Sequence, residues 1–428
     1  MLTAGGTSIK EHRTVVFDDD PTGTQSARGV RVLMSWTAAS LATALREHRT
    51  VYLQTNARAL ERDRAVALLR ETKQALAAVS ARESFEIQIV LRGDSTLRGH
   101  IFAEIDALDE PEKPILLVPA FPAGGRITRG SMHYARQEDE WIPVAETEYA
   151  RDPVFPVPTS HLADLVRNAN RIVAATCSAH ELRASGGDVV REALTNSPGG
   201  SFVIPDIETD DDLRLVQRAF DAARVEGRQS IVRCAAPLAA MIGGVYASEL
   251  LHPSDVEFSG PTLIVCGSHT ELADRQMAAI SARLGLAARV VPVHAALADD
   301  ERERRNIVTA VRADLRERGI ALLITERGRK ETHNTLRHGE LVMSFLTSIV
   351  SRVASHAASI VTKGGITASE VIRVGLGAAE ATVEGQVIPG VSVWRVETSS
   401  RAWMTTIVPG NVGETDTVAT ILRSLGVR

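Results

Sequence analysis

Residues 15–24 read VVFDDDPTGT. Val15, Val16 and Phe17 have the apolar, β-branched and aromatic character of a buried strand, and Asp18, Asp19 and Asp20 follow where that strand leaves its sheet. Three successive carboxylates repel one another. A metal ion, a substrate hydroxyl or a neighbouring cation has to offset that repulsion in the working protein.

Working outward, the same kind of run recurs: VYLQT at 51–55, FEIQIVL at 85–91, PILLVPA at 114–120 and RIVAAT at 171–176. Helical patterns such as SLATALREH and ERDRAVALLRETKQALAAVSA separate the first of these runs, with apolar residues near 3.6 spacing. This alternation predicts βαβ units and a mainly parallel sheet. From Gly124 to Pro158 the chain turns rich in Gly, Pro and polar residues, which predicts an elaborated loop or small hairpin over the sheet edge; loops this long inside a compact domain are more often functional than idle. The segment LLHPSDVEFSGP at 250–261 collects Pro, Gly, Ser and charge before TLIVCGS begins a fresh strand, so the boundary is placed there. The expected organisation is α/β with two domains, 1–250 and 260–428, each a mainly parallel sheet flanked by helices. In the second, TLIVCGS, ARVVPVH, ALLITE and SIVTKGG alternate with ISARLGL, ERERRNIVTAVRADLRERG and the pattern from Glu340 to His356.

A chain of 428 residues is large enough for two such cores. With 44% hydrophobic residues, 24% charged residues and a formal charge of -5, it has no excess of positive charge for nucleic acid. The cysteines Cys177, Cys234 and Cys266 lack C-x-x-C spacing and are odd in number, which argues against a disulfide framework or a zinc site and suits a reducing cytoplasm. No apolar stretch approaches the roughly 18 residues of a membrane span, and the N-terminus lacks the apolar core of a signal peptide.

Two further stretches of the first half meet the aspartates at strand ends, where open α/β sheets place their ligands. LRGDSTLRGH at 91–100 packs Arg92, Asp94, Ser95, Thr96 and Arg98 together; Ser and Thr suit helix capping, and the arginines suit an anion. A capping loop with two solvated arginines is the competing reading. QTNARAL adds Asn56 and Arg58, and guanidinium beside carboxylate suits a polyhydroxylated acid, although Arg58 paired with Glu61 or Asp63 on the surface is the commoner arrangement. In the second half, KGGIT places Gly364 and Gly365 between strand and helix, with Thr367 or Ser369 as caps. VCGSH brings Gly267, Ser268 and His269 to another such turn, and VPGNVG brings Gly410, Asn411 and Gly413 to a third. None is a dinucleotide fingerprint or a Walker A loop. Three such turns in one domain suggest a phosphate cradle of backbone N–H groups. The charged runs at 301–305 and 312–319 read as solvated helix faces, and the four scattered tryptophans as packing residues.

Taken together, the stretches resemble the four-carbon acid sugar kinases, formerly a domain of unknown function. FDDDPTGTQ resembles the family's D-D-x-T-G, QTNAR its following Arg turn, and LRGDSTLRGH its K-x-D-S-T-x-R-G stretch. PAFPAGGRITRGSMHYA and PVAETEYARDP are similar to its A-F-P-x-x-G-R-T and S-E-T-x-x-x-x-D-P segments, and the three glycine turns to its G-S-x-S, G-G-x-T-A and P-G-N-x-G. Arg92 in place of the usual Lys, the third carboxylate, Pro21 and His269 depart from the pattern. The resemblance implies a cytoplasmic, homodimeric kinase using ATP and Mg²⁺, with no nucleic acid or membrane partner. Its substrate would be a tetronate, a 3-oxo-tetronate or a branched relative such as 3-oxo-isoapionate. By position, Asp19, Asp20, Arg58, Arg92, Gly93, Asp94, Ser95 and Thr96 would bind the sugar acid, and Ser268, Gly364, Gly365, Ile366, Thr367, Gly410, Asn411 and Gly413 the nucleotide. Asp20, or else Asp19, would accept the hydroxyl proton, Arg58 and Arg92 would hold the substrate carboxylate, and closure of the two domains would exclude water. The metal ligands are not indicated. The rival reading takes Asp18 and Asp20 as the D-x-D-x-T of a haloacid-dehalogenase-type phosphatase acting on phosphosugars, with Asp18 as nucleophile.

Overall fold

The computed structural model describes residues 11–426 apart from 138, 257, 259, 328–335 and 411. TVVF becomes the centre of strand β1 (Glu11–Asp18), hydrogen-bonded in parallel on both sides. A strand covered on both faces has to be apolar throughout, and Val15, Val16 and Phe17 are all buried. The other strands of the first half are β2 (Val30–Leu33), β3 (Thr50–Gln54), β4 (Phe85–Arg92), β5 (Ile115–Val118), β6 (Arg126–Arg129), β7 (Met132–Gln137), β8 (Glu140–Pro143), β9 (Val173–Cys177), β10 (Phe202–Pro205) and β11 (Ile231–Cys234). Those of the second half are β12 (Thr262–Cys266), β13 (Arg289–Val291), β14 (Ile320–Thr325), β15 (Ser359–Lys363), β16 (Glu380–Ile388), β17 (Val391–Glu397) and β18 (Ala402–Val408).

Fifteen of these strands form one sheet, in the order β13-β14-β12-β15-β18-β17-β16-β2-β3-β1-β4-β11-β5-β10-β9. The first half is parallel throughout, as the alternating pattern predicts. The second is parallel from β13 to β18 and then adds an antiparallel meander through β17 and β16. That meander carries the sheet into the first half, because β16 pairs antiparallel with β2 over Val30–Leu33 and Glu380–Val383. The apolar layers follow the same plan. One face is a single layer in which Val16, Val32 and Tyr52 belong with Val383, Trp394 and Ile407. The opposite face is two separate layers, around Phe17 and Leu53 in the first half and around Ile264 and Val361 in the second.

The long polar stretch from Gly124 forms a three-stranded antiparallel meander, β6-β7-β8, where a loop or hairpin is expected. The solvated faces predicted on helix Glu301–Arg318 are only partly so. Arg304 is buried with its guanidinium over the Phe345 ring, and Asp314 is bound by Arg289. Trp394 and Trp403 pack inside as expected, whereas Trp141 is 38% exposed on β8. No helix among the described residues is long and apolar enough to cross a membrane.

Candidate active site

The parallel register sets Asp18 on β1 beside Arg92 on β4, and that pairing resolves the repulsion among the aspartates. Arg92 Nη1 donates to Asp18 Oδ1 at 3.0 Å, to Asp19 Oδ1 at 2.9 Å and to the Asp20 carbonyl at 3.1 Å, while Nη2 donates to Thr22 Oγ1 at 3.1 Å. The cation is the chain's own, 1% exposed. Burial would depress its pKa, but Asp18 and Asp19 outweigh that and raise it. Asp18 pays for this position: burial pushes its carboxyl up to about 7 against the pull of Arg92. A second buried pair, Arg233 with Glu104, lies beside it, and burial raises Glu104 to about 7 as well.

At Asp20 the chain leaves the strand and enters a single 3-10 turn, Pro21–Thr24. Asp20 caps that turn, accepting from Thr22 N at 2.7 Å and from the Thr22 hydroxyl, with Pro21 at the first turn position. Thr24 Oγ1 receives Trp394 Nε1 at 2.8 Å, so β17 of the second half fixes the same turn. Arg58, on the turn after β3, pairs with Asp20 and reaches Asp94 at 3.3 Å. It makes neither of the surface pairs that its sequence neighbours offer. Arg98 Nε donates to Asp94 Oδ2 at 2.7 Å. Burial alone would raise the Asp94 carboxyl, but Arg98, Arg58 and the Thr96 hydroxyl together hold it well below the usual carboxylate range.

From the other side, β15 ends at Lys363 and the chain turns through Gly364 and Gly365 into helix Gly365–Glu370. Gly364 has φ 111°, a conformation that suits glycine. At Gly365 the reason for glycine is contact: a methyl group there would lie 2.7 Å from the carboxylate of Asp20. Ser268 stands between the other turns. A Cβ on Gly364 would come within 3.2 Å of Ser268 Cβ, and one on Gly410 within 2.7 Å of Ser268 Oγ. Thr270 caps helix Glu271–Leu284 and gives its hydroxyl to the Gly410 carbonyl at 2.8 Å. The three glycine turns therefore meet, and the first of them meets Asp20.

Between the two sets of strand ends lies a cavity of about 810 Å³. Asp20, Arg58 and Asp94 line one wall; Ser268, Gly364, Gly365, Ile366, Thr367 and Gly410 line the other. The remaining expected residues lie elsewhere. Asp19, Arg92, Gly93, Ser95, Thr96 and Gly413 are not on the cavity wall, and Asn411 is outside the described residues. Arg92 cannot face a substrate because the aspartates enclose it. Ser95 and Thr96 do not cap the next helix, which starts at Ile101 behind His100 with no side-chain cap; the Thr96 hydroxyl turns to Asp94 instead. Thr367 and Ser369 do not cap theirs either, since Gly364 occupies the cap position. His269 lines the cavity, with Nε2 3.3 Å from the Thr325 hydroxyl.

The wall also includes Arg98 and Asn56, named at the strand ends but not among the residues carried over by resemblance, and Tyr149 and Glu370, which were named in neither way. Arg98 lies over the Tyr149 ring at 5.6 Å, and Asn56 Nδ2 donates to Glu370 Oε1 at 3.3 Å, from one half to the other. Glu370 is the acid at the far end of KGGITASE, and Tyr149 sits in the long loop already marked as functional, so both had a signal. Mg²⁺ suits this donor set as an ion brought by a nucleotide. Among the described residues no group of three or more His, Cys, Asp or Glu is arranged to hold a metal unaided, and one or two carboxylates with phosphate oxygens satisfy Mg²⁺. Asp20 is the cavity carboxylate that touches the glycine turn.

The cavity thus lies between an acid-and-arginine wall from the first half of the chain and a wall of glycine turns from the second. Residues 14–242 match the family model described as a sugar-binding N-terminal domain, and residues 263–418 the one described as a nucleotide-binding C-terminal domain. The chain belongs to this two-domain family, the four-carbon acid sugar kinases that its motifs resemble. It is 31% identical over 337 residues to a D-threonate kinase of Bordetella bronchiseptica, covering 76% of this chain and 74% of that one. It is 28% identical to a D-erythronate kinase of Heliobacterium modesticaldum, over 63% of this chain and 60% of that one. The fold is shared with a solved chain from Salmonella typhimurium LT2, at TM-score 0.68 and 17% identity, over 96% of this chain and 98% of that one. It is shared also with Haemophilus influenzae protein HI1011, at TM-score 0.60 and 15% identity, over 96% and 100%.

Proposed function

We propose that this chain is an ATP-dependent kinase that phosphorylates a terminal hydroxyl of a four-carbon acid sugar: a tetronate, a 3-oxo-tetronate or a branched relative such as 3-oxo-isoapionate. Residues 1–250 bind the sugar acid and residues 260–428 the nucleotide. The observation that carries this reading is the contact between Gly365 and the Asp20 carboxylate, which puts the glycine turns against the acid that would activate a hydroxyl. The relatives named as D-threonate and D-erythronate kinases support the substrate class.

In this mechanism the turns at Ser268, Gly365–Thr367 and Gly410 direct backbone N–H groups to the phosphates, the Gly364 N–H being given to the Val408 carbonyl. Asp20, oriented by Thr22 and Arg58, accepts the hydroxyl proton as the new bond from the sugar oxygen to the γ-phosphorus forms and the bond from that phosphorus to the bridging oxygen breaks, with ADP leaving. The loose transition state of phosphoryl transfer asks for positioning more than for a strong base. Arg58, with Arg98 beside it, offers the substrate carboxylate a cationic wall, while Arg92 holds the aspartates. Mg²⁺ bound with ATP would neutralise charge building on the phosphates. The D-x-D-x-T phosphatase reading needs Asp18 as nucleophile, yet Asp18 is absent from the cavity wall that Asp20 lines, and its carboxylate is held by Arg92.

The test is ADP release by the purified protein with Mg-ATP against a panel of tetronates, oxo-tetronates and branched acid sugars, with a sugar-free control. Sugar-dependent ADP from one member, lost in Asp20→Asn while ADP binding persists, is the expected result. ATP-independent phosphate release from phosphosugars, lost in Asp18→Asn, would overturn the kinase reading.

A further inference from the structure

Lys363 is the last residue of β15, and its side chain is 0% exposed. Its Nζ donates to the Pro409 carbonyl at 2.7 Å and to the Val412 carbonyl at 3.4 Å. No carboxylate pairs with it among the described residues. The titratable group acting on it is Cys266, its register partner on β12, and Arg327 Nη2 donates to that sulfur at 2.9 Å. A buried cation bonded only to carbonyls gains much less than one paired with an anion.

The carbonyls it holds give it a use. In a planar trans peptide the C=O and the following N–H point in opposite directions. With the Pro409 carbonyl drawn inward to Lys363, the N–H of Gly410 points outward; with the Val412 carbonyl drawn inward, so does that of Gly413. Gln276 Nε2 pulls on the same side, at 3.2 Å from the Val412 carbonyl and 2.8 Å from that of Glu414. Gly410 lines the cavity, and the residue after Lys363 opens the neighbouring glycine turn.

We propose that Lys363 is the positioning residue of the nucleotide cradle, pinning the Pro409–Gly410 and Val412–Gly413 peptides to the Gly364–Gly365 turn and placing a concealed positive charge behind the phosphates. The inference rests on the reading that these turns hold nucleotide. Burial lowers the Lys363 pKa to about 7, so at pH 8 much of it is neutral in the free protein. Phosphates alongside would raise that pKa again, and binding would take a proton from the buffer.

The experiment is calorimetric titration of Mg-ADP at pH 8 into the full-length wild type, Lys363→Met and Lys363→Gln, in two buffers of different ionisation enthalpy. Wild type should take up a fraction of a proton that Lys363→Met does not. Lys363→Met should bind Mg-ADP at least tenfold more weakly with the sugar KM within twofold of wild type, and Lys363→Gln, which keeps an N–H donor, should recover part of the affinity without the proton. A folded Lys363→Met with wild-type affinity, or with the same proton uptake, overturns the inference and leaves the nucleotide reading standing. If Lys363→Met does not fold, wild type decides, and equal heats in the two buffers overturn the inference. A wild type that binds no Mg-ADP overturns the nucleotide reading and this inference with it.

Discussion

Arg92 is what lets three aspartates follow one another at a strand end. Its guanidinium spans Asp18, Asp19, the Asp20 backbone and Thr22, so most of the local acid is structural and only Asp20 is presented. The triplet and its crowding were legible in the sequence; the division of labour within it was not, because it depends on a partner 72 residues away. One local signal was available: Asp-Pro-Thr-Gly is an N-cap followed by Pro at the first turn position, which turns Asp20 away from its neighbours. Asp18→Asn tests the division. With a folded pKa of about 7 against 3.8 when unfolded, native Asp18 retains its proton across that interval. The carboxyl therefore costs the native state nothing below about pH 4, and stability falls as pH rises toward 7. Asn keeps an oxygen for Arg92 and cannot ionise. Urea unfolding of Asp18→Asn from pH 4 to 8 should show a flatter profile than wild type, with sugar-dependent turnover retained within a few-fold; a tenfold loss of turnover would count against the division.

At the scale of elements, the meander β6-β7-β8 buttresses the Asp94 loop. His133 on β7 is buried, with Nε2 2.8 Å from the Ser95 carbonyl and Nδ1 3.0 Å from the Thr128 hydroxyl. Burial lowers its pKa to about 4, so it stays neutral through the physiological range. His133→Phe keeps the bulk but strands a carbonyl and a hydroxyl, at a cost of about 1–3 kcal/mol for each buried group left unsatisfied. The sugar KM should rise severalfold while Mg-ADP affinity is unchanged; an equal loss in both would mean that the meander supports the whole cavity. The sequence marked this stretch as functional without giving its strands, which are short, polar and exposed on one side. Strands β10 and β11 also escaped notice: each has four residues, and FVIP ends in a proline that argues against a central strand. The antiparallel β16–β17 pair also went unread, although a Pro-Gly turn separates two apolar runs at 380–397.

At the scale of the molecule, β2 and β16 make one sheet of what the sequence divides in two. Local periodicity cannot show such a pairing, because the partners lie about 350 residues apart. The junction has four residue pairs and a shared apolar layer, so the closure expected of two separate domains would have to bend one continuous sheet. Heating should give one transition, coincident for tryptophan fluorescence and far-UV circular dichroism and shifted as a whole by Mg-ADP. Val383→Lys, which puts a charge into the shared layer, should split it in two; a single unshifted transition would mean that the junction adds little. The junction also bears on how the chain is made. On the ribosome β2 emerges first and waits for β16 through roughly 350 further residues, about 20–70 s at usual elongation rates. Throughout that wait its outer edge is an open template for another nascent chain. The edge is only four residues long, VRVL, and Arg31 in its middle later pairs with Glu380 at 3.5 Å. One arginine thus guards the strand during synthesis and then helps to seal the finished sheet.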